Sequence, residues 1–474
     1  MNIAQKLLGR RDLDMTTGSI TRCLVQFALP LLLGNLFQQL YNMVDTWVIG
    51  RFGQTGEYAA VGSVGPIVNI LIGLFAGLSS GASVIISRGY GAGDRKKVEK
   101  AVHCSMALTF LLSVVFTAVG MATTPLMLRL MLDSSESAGV FPFAQTYLLV
   151  YFAGVTGLLI YNMGAGILRA VGDSVRPFLY LLASAVTNIV LDLVFVALLG
   201  WGVFGVAFAT VIAQAVSAVL VMITLLRSEG WTKMEWKKVR FDRETLSEIL
   251  RLGTPAALQM AITAFSNVFV QAYIGGVRID GITDPVRSET VSLAGWTTYG
   301  KVDQFIFLPI QSLGLAATTF VGQNLGAGNL SRARRGTGIA WLLATACTVC
   351  IGLPVICFAS GISSVFNPDP DVVAVASLLL RRLTAFYLFC CINQVLACAL
   401  RGAGKTTVPM VIMLGAFVGF RQLYLWLMTT HISNDLLPVA LGYPAGWAMC
   451  AVCMLIYFFC SELSPFRREK KQPA

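Results

Sequence analysis

The sequence predicts an all-α, polytopic membrane protein with twelve transmembrane helices in two pseudo-symmetric six-helix bundles. Three observations carry this expectation. Only 12% of the residues are charged against 56% hydrophobic, whereas a soluble chain of this size carries roughly a quarter. Apolar stretches long enough to cross a bilayer recur from end to end. Short polar stretches in the first half reappear, in the same order, in the second.

The apolar stretches run approximately over 23–49, 59–87, 103–131, 141–168, 177–199, 203–226, 249–275, 292–321, 337–362, 373–400, 407–430 and 438–460. Each is long enough to cross about 30 Å of hydrocarbon as a helix. Lys6, Arg10, Arg11, Asp12, Asp14 and Arg22 interrupt any apolar core before the first of them, so a cleaved signal peptide is not expected and the first span itself starts insertion.

Net charge +11 raises the question of a nucleic-acid partner, and the distribution of the basic residues answers it. Alternating segments (1–22, 88–100, 169–176, 227–251, 332–335, 401–405, 467–471) hold 27 of the 35 Lys and Arg, while the opposite loops hold Arg51, Arg278 and Arg287. Basic residues collect on the cytoplasmic side of membrane proteins. The pattern therefore places both termini in the cytoplasm of a multi-pass plasma (inner) membrane protein, and no nucleic-acid partner is expected. Most of the eleven cysteines sit inside apolar spans. Cys347/Cys350 and Cys450/Cys453 have metal-like spacing, but ionising thiols in lipid is costly, and packing explains them better. His103 and His431 are the two histidines, too few for a cluster, and no cofactor is expected.

The chain compares well with itself. "RGYGAGDRKKVEKA" (88–101) recurs as "QNLGAGNLSRARRG" (323–336), and "ILRAVGDSVRP" (167–177) recurs as "ALRGAGKTTVP" (399–409). The Gly404-Lys405-Thr406 triplet resembles the end of a phosphate-binding loop, yet Ala399 stands where the first glycine should be and Asp173 takes the place of Lys405 in the sister copy. A helix connector fits both copies, and no nucleotide is expected. Pro30 and Pro255 fall near the start of the first span of each half. The expected organisation is an N-terminal six-helix lobe (1–226), a cytoplasmic linker (227–248) with an amphipathic segment carrying Trp231 and Trp236, and a C-terminal six-helix lobe (249–474). Two parallel six-span repeats form bundles that rock around a cleft, an architecture found mainly in carriers.

Charged residues inside lipid cost several kcal/mol and are functional by default. Asp45, Asp192 and Thr210 share a depth about 7–12 Å below the outer surface, counted at 1.5 Å per residue from the span ends. Asn188 stands one turn from Asp192, Tyr41 and Asn42 one turn from Asp45, and Gln214 one turn from Thr210. Such a set suits either an oxygen-lined Na⁺ site or a proton site. The plain alternative is that each aspartate satisfies neighbouring backbone or amide groups. The carboxyl half carries no copy, and Lys301, Asp303, Arg381, Arg382 and Arg421 read as structural. Nearer mid-depth, Gln38, Tyr161, Asn162, Gln259, Asn267, Gln271, Tyr299, Gln304, Asn393 and Gln394 supply scattered polar points. Apolar walls with few polar groups suit bulky amphipathic organic molecules. "GLSSG" (77–81) matches a serine-nucleophile pattern, but Ser79 lies mid-span with no histidine at its depth, so an enzyme is not expected.

The ordered set of "LYNMVDTWVIG" in span 1, "GYGAGD" and "NLGAGN" after spans 2 and 8, and "LRAVGD" and "LRGAGK" after spans 4 and 10 resembles the multidrug and toxic compound extrusion (MATE) family, prokaryotic type. The resemblance implies export of cationic or amphipathic drugs in antiport with Na⁺ or H⁺, and a protein working as a monomer is expected. It places the ion-coupling roles on Asp45, Asn188, Asp192 and Thr210. The chain departs from branches with an acidic residue in span 7, since 254–276 has none. The rival readings are a lipid-linked precursor flippase, a non-coupled channel or receptor, and an intramembrane hydrolase.

Overall fold

The computed structural model describes residues 13–131, 139–279 and 281–464. The basic residues of 1–12 and 465–474 used in the topology argument lie outside these. Eleven helices are long and apolar enough to span a membrane, and a twelfth span forms if the bent pair Phe141–Ala153 and Val155–Ala170 is counted together. Among the described residues the one β-bridge joins Arg278 to Asp435. The protein is an all-helical membrane protein.

The first unit comprises Leu29–Ala257 together with Leu13 and Asp14. Its helices are most of α1 (Ile20–Phe52), α2 (Thr55–Gly91), α3 (Arg95–Met131), α4 (Phe141–Ala153), α5 (Val155–Ala170), α6 (Val175–Asp192), α7 (Gly202–Arg227) and the start of α8 (Arg243–Gly275). The span expected over 141–168 is bent by 49° between α4 and α5. The bend falls at Gly154, where a Cβ would stand 2.2 Å from Val211 Cγ1 on α7. Close backbone approach continues down α5, where a Cβ on Gly164 would stand 2.1 Å from Val221 and one on Gly166 2.3 Å from Ser79 Oγ. Ser79 donates its hydroxyl to the Asn162 carbonyl at 2.9 Å, as small residues do where helices pack tightly. Apolar residues of α2, α3, α5, α7 and α8, among them Ile85, Val102, Ile167, Val221 and Ile249, close one end of the unit.

The linker docks on that end. Trp231 meets Tyr90 edge to face and Trp236 stacks on Phe110. The Glu235 backbone N–H donates to His103 Nε2 at 3.0 Å, and Lys238 Nζ lies 2.7 Å from Glu99. The Lys238 ammonium also holds the exposed Glu235 carboxyl below the usual carboxylate range. Only Trp236–Lys238 is helical in the core of this segment, as one 3₁₀ turn.

The second unit comprises Met15–Ala28 and the described residues from Leu258 onward. It contains the rest of α8, α9 (Pro285–Gly326), α10 (Leu330–Cys357), α11 (Ala359–Phe366), α12 (Pro370–Leu383), α13 (Tyr387–Gly402), α14 (Thr407–Leu414), α15 (Arg421–Leu427), α16 (Leu436–Ala440) and α17 (Gly442–Cys460). Both α1 and α8 change unit near a proline, α1 at Ala28/Leu29 beside Pro30 and α8 at Ala257/Leu258 just after Pro255. Proline removes one backbone hydrogen bond from a helix, so each crossing lies where the helix bends most readily. The start of the chain is clipped to the second unit, with Arg332 donating to the carbonyls of Met15, Thr17 and Gly18 at 3.2, 2.6 and 2.8 Å.

The duplicated loops share one geometry. Gly172 and Gly404 have φ of 97° and 74°, as do Gly93 and Gly328 at 70° and 74°. The next N–H then folds back to the helix, from Asp173 to the Leu168 carbonyl at 3.0 Å and from Lys405 to the Leu400 carbonyl at 2.9 Å. Each is a left-handed glycine ending a helix. Asp173 goes on to accept the Val175 and Arg176 N–H groups at 3.1 Å, whereas Lys405 pairs with Glu462 at 3.6 Å.

Candidate functional site

α1, α2, α4, α5, α6 and α7 surround a cavity of about 390 Å³ inside the first unit, within the size range of small-molecule sites. Of the residues selected from sequence, Gln38, Tyr41, Asn42, Asp45, Tyr161, Asn162, Thr210 and Gln214 line it. Asp45 and Thr210 lie toward one end. Arg169, eight residues beyond Tyr161 on α5, lies toward the other with Asn35 and Ser217. The cavity is thus elongated along the helices, with a carboxyl at one end and a guanidinium at the other.

Asp192 and Asn188 are fully buried, at 0% and 1% exposure. The carboxyl groups of Asp192 and Asp45 nevertheless lie side by side. Asp45 of α1 and Asp192 of α6 thus come together, with Asn188 one turn before Asp192 and Thr210 of α7 lining the same cavity as Asp45. α6 continues past Asp192 as a wider π turn over Leu193–Leu198, a feature often found at functional sites.

Among the described residues, Asp45 Oδ1, both Asp192 carboxyl oxygens, both Asn188 amide atoms and Gln214 Oε1 are buried without a hydrogen-bond partner. Buried polar atoms are normally paired. Thr210 gives its hydroxyl hydrogen to the Val206 carbonyl at 3.0 Å, so its oxygen presents only lone pairs. Two adjacent carboxyl groups repel as anions unless a proton or a cation is shared between them. Buried oxygens from two carboxyls, an amide and a hydroxyl fit either a proton or a small hard cation.

Sequence reasoning passed over several residues here. Glu57, buried at 8% exposure, accepts the backbone N–H of Gln54 at 2.8 Å and of Val203 at 3.0 Å, fixing the start of α2 against the start of α7. Its position three residues after Gln54 is a capping-box signal that could have drawn attention to it. Tyr147, Tyr151 and Arg169 also line the cavity. From sequence the two tyrosines read as ordinary span residues and Arg169 as a basic residue of an inner connector.

The second unit holds the remaining polar points separately. Gln259 is buried with its Nε2 3.0 Å from Met413 Sδ, and Asn393 donates to the Trp447 carbonyl at 3.0 Å. Tyr299 and Tyr387 join hydroxyl to hydroxyl at 3.1 Å. Arg421 is buried and reaches Ser266 Oγ at 3.1 Å and Asn267 Oδ1 at 2.9 Å, with its guanidinium 4.6 Å from the Tyr443 ring centre. Gln271 and Gln304 are exposed and Gln394 is half-buried. Lys301 lies 5.8 Å over the Phe366 ring, and Arg381 contacts Ser360 Oγ at 3.2 Å.

A helical membrane protein of two related units, with paired carboxyls buried at the end of a polar cavity, falls in the class of secondary transporters. The family model described as MatE matches residues 30–194 and 255–427. The chain belongs to the MatE family and is a MATE transporter. It is 27% identical over 448 residues to the probable multidrug resistance protein YoeA of Bacillus subtilis, covering 93% of this chain and 94% of that one. It is 25% identical over 466 residues to the probable multidrug resistance protein NorM of Thermotoga maritima, covering 94% and 93%. A solved structure described as the outward-facing conformation of a multidrug resistance MATE family transporter of the MOP superfamily shares the fold, with a TM-score of 0.86 at 22% identity over 94% of this chain and 97% of that one.

Proposed function

We propose that the protein exports amphipathic or cationic organic molecules across the plasma membrane in exchange for Na⁺ or H⁺ bound at Asp45 and Asp192. The meeting of these two carboxyls at the end of the cavity carries the reading. The names of the relatives, probable multidrug resistance proteins, support a drug-like substrate.

A coupling ion at this position neutralises the carboxyl pair, with Asn188 and Thr210 supplying neutral oxygens. A cationic substrate in the same cavity draws on the same negative charge. Ion and substrate therefore weaken each other's binding, and by linkage each does so to the same extent. That mutual exclusion is what exchange requires. The charge distribution supports an orientation with the Asp45 end of the cavity toward the outside, where an inward ion gradient reaches it first. One charge moved through 100 mV supplies about 2.3 kcal/mol.

Reconstituted vesicles with separately imposed Na⁺ and pH gradients test this. Ethidium movement should follow one of the two gradients and reverse when that gradient is reversed. Movement indifferent to both would remove ion exchange from the account.

A further inference from the structure

The second unit carries a groove of about 570 Å³, away from the buried polar residues described above. It lies where α10 begins and α17 ends, with Leu396 of α13 at its base. Its walls are apolar, and Trp341 and Phe459 are 37% and 46% exposed along it. Arg334 and Arg335 stand at the rim. Gly338, one turn beyond Arg334, opens the wall between them and Trp341, since nothing lies within 4 Å of a Cβ built there.

The internal repeat shows what this face does in the other copy. Aligning 323–336 on 88–101 and continuing the register puts Arg334 on Glu99, Arg335 on Lys100 and Gly338 on His103. In the first unit that face is covered by the linker, through the Lys238–Glu99 pair and the Glu235–His103 hydrogen bond. In the second unit the residues that would contribute such contacts are replaced by two arginines and a glycine. The corresponding stretch of chain, "PFRREKKQPA" (465–474), is itself basic.

We propose that this groove binds one anionic phospholipid from the surrounding bilayer. Both bordering helices are membrane-spanning by length and composition, and the arginines stand near the start of α10, the end that meets the headgroups when the helix spans. Basic pockets between transmembrane helices at that level bind anionic headgroups. The phosphate meets Arg335, which makes no hydrogen bond or ion pair among the described residues, and the free donors of Arg334, whose Nε is held by the Glu462 carbonyl at 2.9 Å. An acyl chain then runs past Gly338 to Trp341, about 10 Å along the helix.

Phosphatidylglycerol titrated into the intact transporter in phosphatidylcholine nanodiscs, with retained lipid read by native mass spectrometry, tests this. Wild type should retain phosphatidylglycerol in preference to phosphatidylcholine. Arg335→Gln should lower that preference about fivefold, the worth of one basic residue near an anionic surface. Gly338→Leu, which fills the groove without a backbone clash, should lower retention of both lipids and leave thermal unfolding in detergent unchanged. Equal retention by wild type and both variants would overturn the proposal. So would retention that emerges only after residues 465–474 are deleted, or its full displacement by millimolar inorganic phosphate.

Discussion

Glu57 holds Val203: its Oε1 accepts the Val203 backbone N–H at 3.0 Å while Oε2 accepts that of Gln54 at 2.8 Å. The two contacts use both oxygens of one carboxylate. Glutamine offers one oxygen and an NH₂, so Glu57→Gln leaves one buried N–H facing a donor, at a cost of roughly 1–3 kcal/mol. Thermal unfolding of the purified variant should fall accordingly. Gly202→Ala should be worse, because Gly202 has φ of 53° and its Cβ would stand 1.8 Å from Glu57 Oε1. An unchanged transition in both variants would remove this carboxylate from the packing of α2 against α7.

Arg332 fixes the start of the chain by geometry more than by charge. Its three nitrogens reach three different carbonyls, Met15, Thr17 and Gly18, and its guanidinium lies 5.4 Å from the Phe320 ring centre. A lysine ammonium keeps the charge but cannot span the fork. Arg332→Lys should therefore expose the segment around Met15 to limited proteolysis nearly as much as Arg332→Ala. Full protection by lysine would mean that charge alone holds the segment.

The four glycine-ended helices differ in what surrounds them. At Gly93 nothing lies within 4 Å of a built Cβ, so Gly93→Ala should cost about 1 kcal/mol, the strain of a left-handed residue. At Gly172 a Cβ would stand 2.2 Å from the Leu13 carbonyl oxygen. Gly172→Ala should lower the unfolding temperature clearly more than Gly93→Ala. Equal losses would mean that Leu13 yields freely.

Much of this architecture was legible in the sequence because membrane solvation constrains it strongly. The twelve apolar stretches correspond to the spanning helices and the bent pair, and the paired "GAG" stretches, like "VGD" and its sister "AGK", correspond to one helix-ending geometry. The common depth of Asp45 and Asp192 was legible, because 1.5 Å per residue turns position into a coordinate, but that they face each other was an expectation of function. Other features depend on contacts distant in sequence. Nothing near Gly154 announces the 49° bend, which arises where Val211 of α7 presses on its backbone. The passage of α1 and α8 from one unit to the other is invisible to a reading that cuts the chain at its polar linker. Arg332 read as one more cytoplasmic charge, because its carbonyl partners carry no side-chain signal. Asn267 and Asn393 of the second unit have local partners, at Arg421 and the Trp447 carbonyl, and depth alone does not say which way a side chain faces.

The central claim is that Asp45 and Asp192 act as one ion-coupling unit. Efflux driven by the effective gradient should be measured in reconstituted vesicles for Asp45→Asn, Asp192→Asn and the double variant, each shown to be folded by an unchanged unfolding transition. The account predicts that either single change lowers gradient-driven efflux at least about tenfold, a loss of roughly 1.4 kcal/mol or more, and that the double change adds little, because residues acting as a unit are not additive. Near-wild-type efflux by Asp192→Asn, or two losses that multiply independently in the double variant, would contradict it.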